Sequence, residues 1–208
     1  FMIPACMFCV ILQSMGSMDI NKRLQILRRL IIAPVSAWEE LMKKPIDPKS
    51  VIKGFYLPGV LVLGLAEFFG MVLSAYFSAS ILYILFFSIS IMAGLIVAYF
   101  LSAIALKYLL KSFDNEDKAK RCAQLLALPL ILGYFPIAVM ALFRSMFFLG
   151  ILSAYAVYLF WVGTQKIPGI HKEKISLFGI LALIFTVGIH LLVLFLVLAL
   201  RTPFMTWF

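Results

Sequence analysis

The stretch GVLVLGLAEFFGMVLSAY, residues 59–76, sets one carboxylate, Glu67, among residues otherwise apolar or small. From Lys53 to Lys107 no other side chain apart from the tyrosines ionises. A membrane crossing needs ~20 residues, so that interval is too long for one span. It reads as a hairpin of two, about 56–76 and 81–106, turning at FSAS. Arg144 splits a second overlong run into spans at about 122–143 and 145–163, and a last run, 175–200, contains only His190. Composition agrees: 64% of the 208 residues are apolar and 13% charged, against ~45–50% and ~25% in soluble domains. The expected fold is an all-α integral membrane protein with five transmembrane helices.

Basic loops stay on the cytoplasmic side, so the Lys and Arg positions orient the chain. Eight precede the first span (Lys22, Arg23, Arg28, Arg29, Lys43, Lys44, Lys49, Lys53), five flank the second-to-third loop and three the fourth-to-fifth. Arg144 and Arg201 alone fall on the other side, and both should snorkel to headgroups. Sixteen against two predicts a cytoplasmic N-terminus and an outside C-terminus. The domain plan is an uncertain extension at 1–18, a cytoplasmic or interfacial helical segment at 19–50 and a membrane domain at 51–203. The chain opens on Phe, and Met15 or Met18 is the expected start of translation.

In INKRLQILRRLIIA, residues 20–33, Ile20, Leu24, Leu27 and Ile31 share a helical face. Lys22, Arg23, Arg28 and Arg29 lie elsewhere on the wheel, so the segment reads as an amphipathic helix in the headgroup region. Pro34 should end it, Ser36 should cap the next short helix with Glu39 three residues on, and Trp38 should anchor at the interface. Pro45 should close that helix, and Asp47 with Pro48 should open the first span. Asp114–Asp117 suit the N-terminus of the third span.

Lipid is as apolar as leucine, so helices in it associate where small residues let them approach. Ser90, Gly94, Ala98 and Ser102 form such a seam in the second span. Gly64 and Gly70 bracket Glu67 at three residues either side, which should turn the carboxyl into the bundle at a close crossing. An acid at the bilayer centre costs ~2.5–3.5 kcal/mol, and such groups usually face the bundle interior. At ~1.5 Å per residue, Glu67, Tyr134 and His190 lie at compatible depths of ~16, ~18 and ~22 Å. They are the candidate polar site, either a proton relay or a buried interhelical hydrogen bond. Pro129 and Pro136 should kink the third span. Tyr155, Tyr158 and Trp161 suit an aromatic belt.

IIAPVSAWEEL (31–41), LLALPLILGYFPIAVMAL (125–142) and AYAVYLFWVGTQKIPGIHKEK (154–174), joined by five spans, resemble the Yip family, the Ypt/Rab-interacting-protein domain proteins. In the third span the likeness rests on Gly133, Tyr134 and Pro136. Eukaryotic relatives carry an Asp-Leu-Tyr-Gly-Pro motif in a cytosolic N-terminal domain that contacts prenylated GTPases. The motif does not occur here, which puts a GTPase partner in doubt, and the resemblance implies a short prokaryotic-type member in an inner membrane. It implies no catalytic residues.

A non-catalytic scaffold acting through its basic face on anionic headgroups, on a membrane-protein partner or on a second copy is the leading reading. The alternative is a small proton- or ion-coupled transporter centred on Glu67, which lacks a repeated half or a second midplane acid. An enzyme is disfavoured, since neither H-E-x-x-H nor G-x-S-x-G occurs. Cys6 and Cys9 have no second pair or His cluster beside them, so no metal or cofactor is expected. The basic balance is explained by topology before nucleic acid.

Overall fold

The computed structural model describes residues 20–74, 80–113 and 118–205. The expectations for the first 18 residues, the turn after the first span and the Asp114–Asp117 cap lie outside the described residues. So do the side chains of Arg144 and Arg201.

Among the described residues seven helices follow one another: α1 (Ile20–Ile32), α2 (Pro34–Lys43), α3 (Pro48–Ser74), α4 (Ile81–Lys111), α5 (Lys118–Leu142), α6 (Gly150–Gln165) and α7 (Lys172–Met205). α3 opens with an α turn, widens to a π turn at Ile52–Tyr56 and continues as α-helix from Leu57. A 3-10 segment, Arg144–Leu149, leads into α6. Among the described residues five helices are long and apolar enough to cross a membrane, corresponding to α3 through α7.

Asp47 caps α3 as expected, its carboxylate accepting from the backbone of Lys49 at 3.1 Å and Ser50 at 3.3 Å, with Pro48 in the first turn. The α2 cap differs from expectation. Pro34 opens α2 rather than merely ending α1, because a first-turn proline lacks only an N–H that would have no helical partner. Ser36 is therefore already inside the helix and donates back to the Ala33 carbonyl at 3.1 Å.

Each span packs against the next in sequence, and α3 also packs on α5 and α4 on α7. Half of the apolar window of α5 is buried against 17% for α7, which makes α5 the central helix and α7 a peripheral one. α5 runs on through Pro129 and Pro136 as one helix, both prolines buried. The most deeply buried large side chains, among them Trp38, Tyr56, Tyr99, Leu106, Leu125 and Phe178, gather at the end of the bundle where α1 and α2 dock. Toward the other end Leu73, Ile81, Leu82, Phe147 and Ile151 are exposed, as a lipid-facing surface requires. At the α6–α7 turn Gly169 adopts φ 90°, a conformation costing other residues ~1–2 kcal/mol. That turn lets Ile167 and Ile170 both point into the core.

Candidate functional site

The basic end of the bundle carries the helix pair α1–α2, and three polar contacts fix it there. Each begins with a proline. A proline has no N–H, so the carbonyl four residues before it loses its helical donor.

Pro34 leaves the Leu30 carbonyl without that donor. Tyr155 of α6 supplies one, its hydroxyl lying 3.3 Å from the Leu30 oxygen and 3.1 Å from that of Ile31. Pro45 does the same to Leu41, and Gln124 of α5 donates from Nε2 at 2.9 Å while its Oε1 accepts from the Ile46 N–H at 3.1 Å. Pro58 has no N–H to offer the π turn before it, where the Leu57 N–H reaches back to Ile52, and Arg23 of α1 donates from Nη1 to the Gly54 carbonyl of that turn at 3.2 Å. Gly54 has no side chain to hold that guanidinium off, and a Cβ there would lie 3.4 Å from Arg23 Nε. Buried carbonyls are costly when unpaired, so each contact binds the helix pair to a different part of the bundle.

Packing completes the attachment. Trp38 is fully buried, its ring against Gly163, where a Cβ would come within 2.9 Å of the indole and 2.6 Å of Leu125. The expectation that Trp38 anchors in the headgroups is therefore corrected: a glycine on α6 opens a slot that takes the indole into the protein. At the rim Lys166 Nζ meets Glu39 Oε1 at 2.6 Å and Arg29 Nη1 meets Glu40 Oε2 at 2.8 Å. The hydrogen bond from Lys166, reinforced by its charge, holds the Glu39 carboxyl below the usual carboxylate range.

Of the four cations expected at the membrane surface, Lys22, Arg28 and Arg29 are exposed. Arg23 is not. It is 4% exposed and bonded to the bundle, because the Gly54 carbonyl offers it a buried acceptor. Of the expected apolar face, Leu24 and Ile31 are exposed and Ile20 and Leu27 half-buried. The buried residues of α1 are Arg23 and Leu30, and Ile26 and Leu27 pack half-buried against the core. Tyr155, expected in an aromatic belt, is the hydroxyl that holds α1.

The membrane polar residues fall into separate contacts. Tyr134 lies 3.4 Å, hydroxyl to hydroxyl, from Tyr56, which donates to the Leu95 carbonyl at 2.7 Å and stacks on Tyr99 with ring centroids 4.1 Å apart. His190 Nδ1 lies 2.8 Å from the Thr186 carbonyl and 3.5 Å from Ser102 Oγ. Glu67 is half-buried. Its flanking glycines sit at close crossings, Gly64 against the Met92 side chain of α4 and Gly70 against the Ala141 carbonyl of α5. Along the α4 seam, Gly94, Ala98 and Ser102 are buried, and a Cβ on Gly94 would meet Val197 of α7 at 2.8 Å. Ser90 is half-buried and donates to its own helix at Phe86. Among the described residues no group of three or more His, Cys, Asp or Glu side chains could hold a metal.

An all-helical chain with five helices able to span a membrane, bearing a docked helix pair at its basic end, defines an integral membrane protein. The Yip1 domain matches residues 28–196. The chain therefore belongs to the Yip1 domain family, and the match takes in α2, all five spans except the end of α7, and the part of α1 that carries Arg28 and Arg29. Comparisons with curated proteins and with solved structures find no match.

Proposed function

We propose that this Yip1-domain protein is a non-catalytic scaffold. Its five spans hold the α1–α2 pair as a fixed basic platform on the cytoplasmic leaflet, with the N-terminus inside and the C-terminus outside, to gather anionic lipid or a membrane-protein partner. One observation carries the reading: two buried polar contacts and a part-buried third pin the pair to the bundle, while Lys22, Arg28 and Arg29 point outward beside exposed Leu24, Ile31 and Ile32. Near an anionic leaflet each such cation contributes ~1 kcal/mol, screened by salt. A platform held rigidly keeps those charges at the surface without the ordering cost that a loose segment would incur.

The test uses the full chain in nanodiscs of mixed phosphatidylcholine and phosphatidylglycerol. A triple variant, Lys22→Gln with Arg28→Gln and Arg29→Gln, should lower the enrichment of labelled phosphatidylglycerol around the protein. Equal enrichment for the variant and the parent removes this reading. The ion-coupled alternative draws less support, since Tyr134 and His190 find their partners in different helix pairs, α3–α5 for one and α4–α7 for the other.

A further inference from the structure

α7 packs on α4 and α6. Three contacts set its antiparallel register along α4 and the residues just after it: Phe178 against Phe113 with ring centroids 5.5 Å apart, His190 against Ser102, and Val197 beside Gly94. The middle contact is polar. His190 Nδ1 lies 2.8 Å from the Thr186 carbonyl, an oxygen that can only accept, so Nδ1 carries the hydrogen and the neutral ring keeps a bare lone pair on Nε2. Nε2 is buried and has no hydrogen-bond partner among the described residues, and neither has the hydroxyl of Thr186 one turn away, on a residue 5% exposed. Ser102 does not relieve them, since its oxygen stands 3.5 Å from the ring nitrogen that is already engaged.

We infer that His190 is a proton-operated latch, which holds α7 on α4 while its imidazole is neutral and releases it when Nε2 takes a proton from water. The new N–H carries a positive charge into a seam of Gly94, Ala98, Ser102, Val193 and Val197. Among the described residues no group bonded to the ring answers that charge. On α4, Tyr83 stacks on Phe87, Tyr99 donates to the Ala123 carbonyl, and Lys107, Tyr108 and Lys111 are exposed. On α6, Tyr155 donates to α1 and Tyr158 is exposed. Along α7 no other side chain ionises between Lys174 and Arg201. A buried cation without an acceptor is costly, and turning or drawing α7 out of the seam until water reaches Nε2 relieves it. α7 is the span placed to move, with 17% of its apolar window buried against 50% for α5. The same tautomer excludes a nucleophilic Ser102–His190 pair, because Nδ1 has no lone pair left to take the serine proton. The latch lies away from α1 and α2, so it stands or falls independently of what the platform gathers.

The full chain, with Cys6, Cys9 and Cys122 replaced, carries spin labels at Leu101→Cys and Leu191→Cys, exposed neighbours of Ser102 and His190, in nanodiscs of zwitterionic phosphatidylcholine. Double electron–electron resonance reads the α4–α7 separation at about pH 8 and about pH 4.5, on either side of the ordinary histidine range. In the parent the short-distance population should fall severalfold at the lower pH in favour of a longer one, while His190→Gln keeps one distribution at both. His171→Gln, which changes the other histidine, exposed at the α6–α7 turn, should respond as the parent does. A parent distribution that ignores pH, or one that shifts alike in His190→Gln, overturns the latch. Nitrogen-15 NMR of the imidazole in the His171→Gln protein requires no change at His190. It should show hydrogen on Nδ1 and none on Nε2 at the higher pH, and hydrogen on Nε2 there overturns the tautomer on which the latch depends.

Discussion

Arg23 Nη1 donates to the Gly54 carbonyl at 3.2 Å across a sequence separation of 31 residues. It serves a carbonyl of the π turn to which Pro58 offers no N–H. A guanidinium that would otherwise be solvated is thereby spent inside the protein as a fastener between α1 and the start of α3. Arg23→Met keeps the length of the stem and removes the donors, leaving the carbonyl buried and unpaired. The expected cost is ~1–3 kcal/mol, read as a lower midpoint of denaturant unfolding in micelles. Arg23→Lys should recover part of the loss, and an unchanged midpoint for the Met variant would mean that the bond holds nothing.

Gln124 serves α2 from both ends of its carboxamide, donating to Leu41 and accepting from Ile46. Gln124→Leu should therefore cost ~2–3 kcal/mol, the sum of two modest bonds and the groups they leave unpaired. Because Lys43 and Lys44 lie between those two anchor points, the same variant should be cleaved by trypsin between them, the Lys44–Pro45 bond being resistant, severalfold faster than the parent.

Gly70 lies directly against the Ala141 carbonyl, and Gly188 has nothing within 4 Å of its would-be Cβ. The two glycines should respond oppositely to the same change. Gly70→Ala drives a methyl into backbone of α5 and should destabilise by ~1–3 kcal/mol. Gly188→Ala meets no neighbour and should be neutral or stabilising by up to ~1 kcal/mol, the helix-propensity gain. Thermal melts of both variants compare them; equal losses would contradict the α3–α5 crossing.

The Glu39–Lys166 pair sets a pH dependence of known sign. Lys166 depresses the folded-state pKa of Glu39, so the contribution is present above the ordinary carboxylate range and is lost as pH falls through the depressed value. Carbon-13 NMR of the labelled carboxyl should show titration below that range in the parent and a return to the ordinary value in Lys166→Met.

The spans were legible because lipid demands the same thing of each, a long run without charge, and that demand leaves its mark on composition whatever the helix packs against. The close crossings were partly legible, since small residues at four-residue spacing mark them; Gly94, Ala98 and Ser102 are buried on that face. What stayed hidden is pairing across distance. Nothing in the run around Tyr155 announces an acceptor 125 residues away, and an aromatic near a helix end reads most naturally as an interfacial belt. Trp38 misled for the same reason, its slot being made by Gly163 on another helix. One signal of such pairing does lie in the sequence. Pro34, Pro45 and Pro58 each withhold a backbone donor from the turn before them, and three such gaps around one short segment ask for three donors.

Sidedness is the most direct test of the proposal, which sets the platform on the cytoplasmic leaflet. In a background with Cys6, Cys9 and Cys122 replaced, single cysteines at Lys44, Lys111, Ser145 and Thr206 are treated in intact cells with a membrane-impermeant maleimide. Ser145→Cys and Thr206→Cys should label from outside, and Lys44→Cys and Lys111→Cys only after permeabilisation. Labelling of Lys44→Cys and Thr206→Cys from the same compartment would contradict five crossings, and with them the platform's place on the cytoplasmic surface.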